Sequence, residues 1–214
     1  MRIISNMPNL VFIDISFAKQ VTDAGLVHFS DKQLALHTIS VSGCTSISSA
    51  GLTALLNCCT ATLVDLEAQW LDQENFKSDF FVKLGYCWQL EYLDLAGCTK
   101  LDDSAAQNIA KAEIESGDAE VKVKHQPGLR MLHTFKMGCV PFTDFALGSI
   151  LKVTPNVQHL EVSGCEQLTE YGLKQIIEKL PRLKYLDMSR IPIVNYAFLD
   201  ELKNTRPELL TKRY

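Results

Sequence analysis

The chain has 214 residues, 47% of them hydrophobic and 21% charged, a composition that excludes disorder of the whole chain and allows a real core. Its net charge of −4 and pI near 5.7 argue against a general binder of nucleic acid or anionic membrane, because such proteins are more often basic. No run of about 18 uncharged apolar residues reads as a membrane span, and the stretch from Met1 to Leu10 has neither a signal core nor the character of a transit peptide.

A first unit opens with Leu10, Ile13 and Ile15 and runs through Val21 and Thr22 into Asp23, Ala24, Gly25 and Leu26. The second repeats that frame as Leu36, Ile39 and Val41, followed by Gly43, Cys44 and Ile47. The third opens with Leu63, Leu66 and Ala68 but carries Gln69, Trp70 and Leu71 in place of Gly-Cys, and it reads as distorted as far as Phe76. The fourth is regular: Leu90, Leu93, Leu95, Gly97, Cys98, Leu101. Residues 111–128 then intrude, and they read as a loop insertion in which Val121, Lys122, Val123 and Lys124 could form an edge strand against a partner. The fifth unit fits as Leu132, Phe135 and Met137 if one residue is deleted before Gly138 and Cys139, with Leu129 and Leu132 as a competing register. Val157, Leu160, Val162, Gly164, Cys165 and Leu168 form the sixth, and Leu183, Leu186 and Met188 open the seventh. On the first register the intervals are 26, 27, 27, 42, 25 and 26 residues, so only one breaks the period.

The second half of each unit reads as a helix. Thr22, Ser48, Asp102, Thr143, Thr169 and Asn195 stand where a side-chain oxygen can accept from unpaired amides at a helix start. Leu173, Ile176, Ile177 and Leu180 then recur at helical spacing. Pro8, Pro155 and Pro181 precede the next strand, where the helix must have ended. No such unit buries its core alone, so residues 1–214 are expected to stack as a single α/β solenoid: a concave parallel sheet inside, convex helices outside.

The pattern Leu-x-x-Leu-x-Leu-x-x-Cys-x-x-Leu-Thr/Ser-x-x-Gly-Leu resembles the cysteine-containing class of leucine-rich repeats. That class is known from F-box/leucine-rich-repeat substrate receptors of cullin-based ubiquitin ligases and from related proteins without an F-box, including subunits of ciliary axonemes. The resemblance implies a horseshoe of about seven repeats and a non-catalytic scaffold for protein–protein interaction. It implies either an architectural subunit of a large assembly such as an axonemal complex or an adaptor of an SCF-type ligase. No F-box precedes the repeats, since Met1 falls in the tail of a helix or its return loop, and this favours the architectural role. The run from Phe198 to Leu209 resembles the natural end of such arrays, whereas the N-terminal unit has no comparable cap. A cytoplasmic location follows, with a cytoskeletal or ciliary one as a refinement. An enzyme is the alternative of a different class, and no phosphate loop or nucleophile elbow argues for it.

Seven cysteines are an odd number for a disulfide framework, and Cys58 and Cys59 are adjacent, so reduced thiols are expected. Cys44, Cys98, Cys139 and Cys165 would form a column with Ala18, Leu71 and Ile191, which can pack but cannot bind metal; the column therefore reads as core, with no metal or cofactor. Histidines at 28, 37, 125, 133 and 159 lack two-ligand spacing, and His37, His133 and His159 are the candidates for the concave face. Side chains alternate along a strand, so the position before the third apolar residue should face outward as a row: Asp14, Ser40, Glu67, Asp94, Lys136, Glu161, Asp187. Beside it should run Phe12, Thr38, Asp65, Tyr92, Thr134, His159 and Tyr185. An acidic stripe flanked by aromatics points to a Lys/Arg-rich segment of a protein partner within a hetero-complex, with Phe12, Asp14, Glu67, Tyr92, Asp94, His159, Glu161, Tyr185 and Asp187 as contact residues.

Overall fold

The computed structural model describes residues 6–30, 32, 34–71, 78–115 and 128–212. Strands and helices alternate in chain order. The strands are β1 (Phe12–Asp14), β2 (Thr38–Ser40), β3 (Asp65–Glu67), β4 (Tyr92–Asp94), β5 (Thr134–Lys136), β6 (His159–Glu161), β7 (Tyr185–Asp187) and β8 (Leu210–Lys212). The helices between them are α1 (Asp23–Leu26, extended by a 3-10 turn at Val27–Phe29), α2 (Ser49–Asn57), α3 (Ser78–Gly85), α4 (Asp103–Glu115), α5 (Asp144–Val153), α6 (Glu170–Lys179) and α7 (Tyr196–Thr205). The strands pair in sequence order in one parallel sheet, as expected of stacked strand–turn–helix units.

In each of β1 to β7, unlike β8, which is exposed throughout, the middle of the three strand residues points inward, as Ile13, Ile39, Leu66, Leu93, Phe135, Leu160 and Leu186 do. The apolar residues of the frame flank it, and together with helix residues such as Leu52, Ile109, Leu147 and Ile176 they build one continuous core. In the fifth unit Leu132, Phe135 and Met137 take the frame positions, so the register that starts at Leu132 is the correct one, but the expected deletion before Gly138 is absent. The third unit keeps the repeat geometry through β3 and its turn, contrary to the expected distortion, because Leu71 is buried in the column that Cys44 and Cys98 occupy. Of the segment 111–128, residues 111–115 are the end of α4 and not loop, and 116–127, with Val121 to Lys124, lie outside the described residues. The chain re-enters at Gly128, whose N–H donates to the Gly85 carbonyl at the end of α3.

The backbone ladder continues past the strands. After each of β1 to β7 the chain turns through one residue in the left-handed region: Phe17, Gly43, Trp70, Gly97, Cys139, Gly164 and Arg190. The N–H of six of these reaches the next unit, from Phe17 to the Ser42 carbonyl (2.7 Å), Trp70 to Ala96 (2.9 Å) and Cys139 to Ser163 (2.7 Å) among them. The turn therefore carries a rung of its own, and this requirement holds the backbone in a conformation that glycine adopts at least cost.

A second ladder runs along the helix starts. Ser48, Thr143, Thr169 and Asn195 each accept from an amide of their own helix's first turn. Three of them also donate backward. Ser48 gives its N–H and O–H to Asp23 (2.8 and 2.6 Å), Thr143 gives both to Asp103, and Thr169 gives both to Asp144. The carboxylate occupies the space above the glycine that follows. A Cβ on Gly51 would sit 2.3 Å from Asp23 Oδ1, and one on Gly172 would sit 2.0 Å from Asp144 Oδ1. The glycine of the Thr/Ser-x-x-Gly motif thus makes room for the neighbouring unit's acid.

The last unit closes differently. Arg206 donates to the carbonyls of Ile177, Leu180, Pro181 and Leu183, at 3.0 to 3.5 Å. It stands in the return turn where earlier units bury Cys87, Leu129, Thr154 and Leu180. β8 was not foreseen; its signal is Pro207 two residues before Leu209, which repeats Pro181 before Leu183.

The Asp144–Gly172 arrangement makes a testable prediction. Gly172→Ala should destabilise the fold by about 1–3 kcal/mol through overpacking. In an Asp144→Ala background the same change should cost much less, because the carboxylate it strikes is gone. Urea melts of the four proteins close the cycle, and additive effects would contradict the steric account.

Candidate protein-binding face

The register places the outward side chains in two rows. One runs Phe12, Thr38, Asp65, Tyr92, Thr134, His159, Tyr185, Leu210; the other runs Asp14, Ser40, Glu67, Asp94, Lys136, Glu161, Asp187, Lys212. All nine residues expected on this face lie in these rows. Of the histidines, only His159 is in them, since His37 and His133 precede their strands and His125 is outside the described residues.

The acidic row is not the exposed stripe that alternation suggested. Asp94 is 1% exposed and Asp187 4%. Asp94 accepts from Gln69 Nε2 (2.6 Å), Tyr92 Oη (3.2 Å) and the Ala96 N–H (3.0 Å), and it faces Lys136 Nζ at 3.6 Å. Asp187 accepts from the Ser189 N–H and hydroxyl (2.9 and 2.5 Å) and pairs with Lys212 at 2.8 Å. The shared element is local. Asp14, Asp94 and Asp187 each take the N–H two residues on, which turns the chain out of the strand. Aspartate recurs here because it caps the turn, and burial follows where the next strand supplies a lysine.

The charge of the face therefore divides along its length. Burial opposes the charge of Asp187, but Lys212 and Ser189 outweigh it and hold the carboxyl below its ordinary value. Lys136 is likewise held above the ordinary lysine value despite its burial, by Tyr92, Asp94 and Glu161, and its ammonium also lies 5.1 Å from the centre of the Tyr92 ring. At the other end, Asp14, Asp65 and Glu67 have no ion-pair partner among the described residues. Among the described residues Glu67 accepts from the Ser40 hydroxyl (3.0 Å), itself 2.6 Å from that of Ser16. Asp65 is the least comfortable: its Oδ1 is buried without a hydrogen-bond partner, and burial, then repulsion by Glu67 and Asp94, pushes its carboxyl up. Apolar surface gathers at β6–β8, where His159 and Tyr185 stack with centroids 6.0 Å apart and Leu210 follows, exposed.

Sequence reasoning missed Phe17 and Trp70 on the turn edge of this face. They are 61% and 52% exposed, and their ring centroids lie 6.1 Å apart at 39°. Each ring lies over the glycine of the following unit: a Cβ on Gly43 would come 2.5 Å from Phe17 Cδ1, and one on Gly97 2.0 Å from Trp70 Cδ1. The signal was present, since both stand where Gly43, Gly97 and Gly164 stand in other units.

The cysteine column is corrected in one place. Cys44, Cys98 and Cys165 are buried and donate to the carbonyls of Ile15 (2.9 Å), Ala68 (3.1 Å) and Met137 (3.1 Å) in the preceding unit. Cys139 is exposed at the left-handed turn position, and Val140 fills the column, because Phe135 to Cys139 spans the same four residues as Leu93 to Gly97, so no residue is missing ahead of the turn. Burial pushes the Cys165 thiol up to about 12, and that of Cys87 likewise. Among the described residues no three His, Cys, Asp or Glu side chains are placed to hold a metal ion, and no helix is long and apolar enough to cross a membrane.

Among solved structures the chain is similar to one from the crystal structure of the Rad7 and Elc1 complex in yeast, with a TM-score of 0.69 and 16% identity over 89% of this chain and 44% of that one. It is also similar to the leucine-rich repeat-containing protein LegL7 from Legionella pneumophila, with a TM-score of 0.54 and 16% identity over 97% of this chain and 68% of that one. The fold is therefore the leucine-rich-repeat solenoid, and the chain spans less than half the length of the yeast protein it matches. No family model and no curated protein matches it by sequence.

Two outcomes check the electrostatic account. Asp65 holds its proton more tightly folded than unfolded, so its ionisation costs stability at neutral pH and the cost disappears as the pH falls through its folded-state value. Asp65→Asn should raise the melting temperature at pH 7 by on the order of 2 °C, a modest gain because the site is partly solvated and screened. The gain should shrink on acidification toward the ordinary aspartate value of 3.8. For the thiols, Ellman's reagent on the native protein should label Cys139 and the half-buried Cys58 before Cys44, Cys98 and Cys165, and Cys139→Ser should remove one equivalent from that fast phase.

Proposed function

We propose that the chain is a non-catalytic scaffold whose concave face binds an extended protein segment, and that it works as a subunit of a larger assembly. The observation that carries this reading is the polarity of the face: unpaired carboxylates Asp14, Asp65 and Glu67 at β1–β3, aromatic and apolar side chains His159, Tyr185 and Leu210 at β6–β8. A segment with Lys or Arg toward one end and apolar residues toward the other matches both. Eight strands at a spacing of about 4.8 Å span roughly 34 Å, the length of about ten extended residues. The buried Asp94 and Asp187 serve the fold and are not contact residues on this reading; Tyr92 and Glu161 are half-buried at its centre and keep part of their surface for contact.

The similarity to a chain from a two-protein complex adds that this fold is found with a protein partner. The architectural role is the reading we favour, with a cytoplasmic setting in keeping with column thiols that donate as S–H. The ligase-adaptor role rests on the resemblance of the Gly-Cys repeats alone.

The test is a native pull-down from the source cells with crosslinking and mass spectrometry. A stoichiometric complex with crosslinks at the strand face is expected, and Asp14→Lys with Glu67→Lys should reduce its recovery and flatten its salt dependence. Recovery of cullin-ligase core subunits would move the role to the adaptor. A chain recovered without partners would contradict the scaffold reading.

A further inference from the structure

The turn edge at the N-terminal end of the concave face carries an aromatic pair that the core does not need. Phe17 and Trp70 occupy left-handed backbone positions (φ 60 and 51) where Gly43, Gly97 and Gly164 serve in other units. A non-glycine residue there is disfavoured, because its Cβ crowds the following carbonyl oxygen. Both rings remain more than half exposed. Burying apolar surface thus explains neither the residue type nor the position, and contiguous exposed aromatics mark interaction surfaces.

The charges nearby identify what such a surface fits. Asp14 stands three residues before Phe17 in the first unit, and Glu67 three before Trp70 in the third. Neither has an ion pair among the described residues, whereas the acids of β4 and β7 are matched by Lys136 and Lys212. Aromatic faces beside unmatched carboxylates suit a cation that is also planar. A guanidinium stacks on a ring while its N–H fork reaches a carboxylate, and an ammonium offers only a point charge.

We infer that Phe17 and Trp70, with Asp14 and Glu67 beside them, recognise an arginine side chain of the bound protein segment. The inference rests on the protein-binding reading above and assigns the segment's residue at this end. Arginine is preferred over lysine, and the neutral isostere citrulline is rejected.

The probe is a synthetic peptide of four Arg-Gly-Gly triplets, compared with its lysine and citrulline counterparts. The chain has two tryptophans, so Trp88→Phe leaves Trp70 as the sole indole reporter. The arginine peptide should change Trp70 emission saturably, the lysine peptide should bind at least about threefold more weakly, and the citrulline peptide should give no saturable change. Phe17→Gly and Trp70→Gly install at these turns the residue that Gly43 and Gly97 already are, so the backbone keeps its conformation, which circular dichroism verifies. Each should weaken arginine-peptide binding, measured by calorimetry in the otherwise unmodified chain, by at least about threefold. Equal affinity for Trp70→Gly and the parent, or no saturable binding of the arginine peptide, overturns the inference. If either occurs while Asp14→Lys with Glu67→Lys still releases the cellular partner, the scaffold reading stands and only the arginine site fails. If the charge reversals also leave the cellular complex intact, the basic-segment part of that reading fails with it.

Discussion

Rungs between neighbouring backbones set the address of every side chain in this molecule. Each strand pairs in parallel with the next, and the turn residue beyond it adds one more N–H to the neighbouring unit. Because the register is fixed at both places, the residue between them must point inward, and the residues on either side of it must point out. The core, the two concave rows and the left-handed turn column follow from that constraint. The single unit has no fold of its own to fall back on, since its middle strand residue is covered by the units on either side.

The same constraint explains why the surface is uneven in charge. A carboxylate at the end of a strand first satisfies its own turn, through the amide two residues on. Whether it is also neutralised depends on the unit next door. Lys136 stands beside Asp94 and Lys212 beside Asp187, whereas Ser40 stands between Asp14 and Glu67. Identical local chemistry thus yields a fold-supporting ion pair in one place and an acid without a cation in another. Asp65, at the start of β3 and outside this row, is a separate case, a charge kept on the sheet although its surroundings oppose it.

Much of this was legible in the sequence, and the limits have a physical origin. The apolar frame gives the strand positions from Leu10 to Met188, and the polar residue ahead of each helix gives the caps at Ser48, Thr143, Thr169 and Asn195. Alternation correctly places Phe12, Tyr92, His159 and Tyr185 on one row. It does not separate buried Asp94 from exposed Asp14, because the lysine that buries Asp94 lies 42 residues further on, across the longest interval in the chain. It does not distinguish Cys139 from Val140, because a Gly-Cys pair that stands one place earlier than in the other units suggests a deletion the backbone does not have. β8 escaped because its unit keeps Pro207 and Leu209 but offers no later apolar partner to complete the frame.

Arrays of similar units carry a particular hazard: one unit can take another's place during folding and leave a compact but misassembled chain. Most of the return turns here are interchangeable in this sense, since Cys87, Leu129, Thr154 and Leu180 are all small or apolar and all buried. Arg206 is not. Its guanidinium spans four carbonyls at the end of α6 and the turn that follows, while Glu208 of its own unit takes the Nε proton. Wherever α7 and β8 dock, that half-buried cation needs carbonyls in the same arrangement. That one side chain sets a polar condition on assembly at this end of the stack, which the apolar return turns do not set.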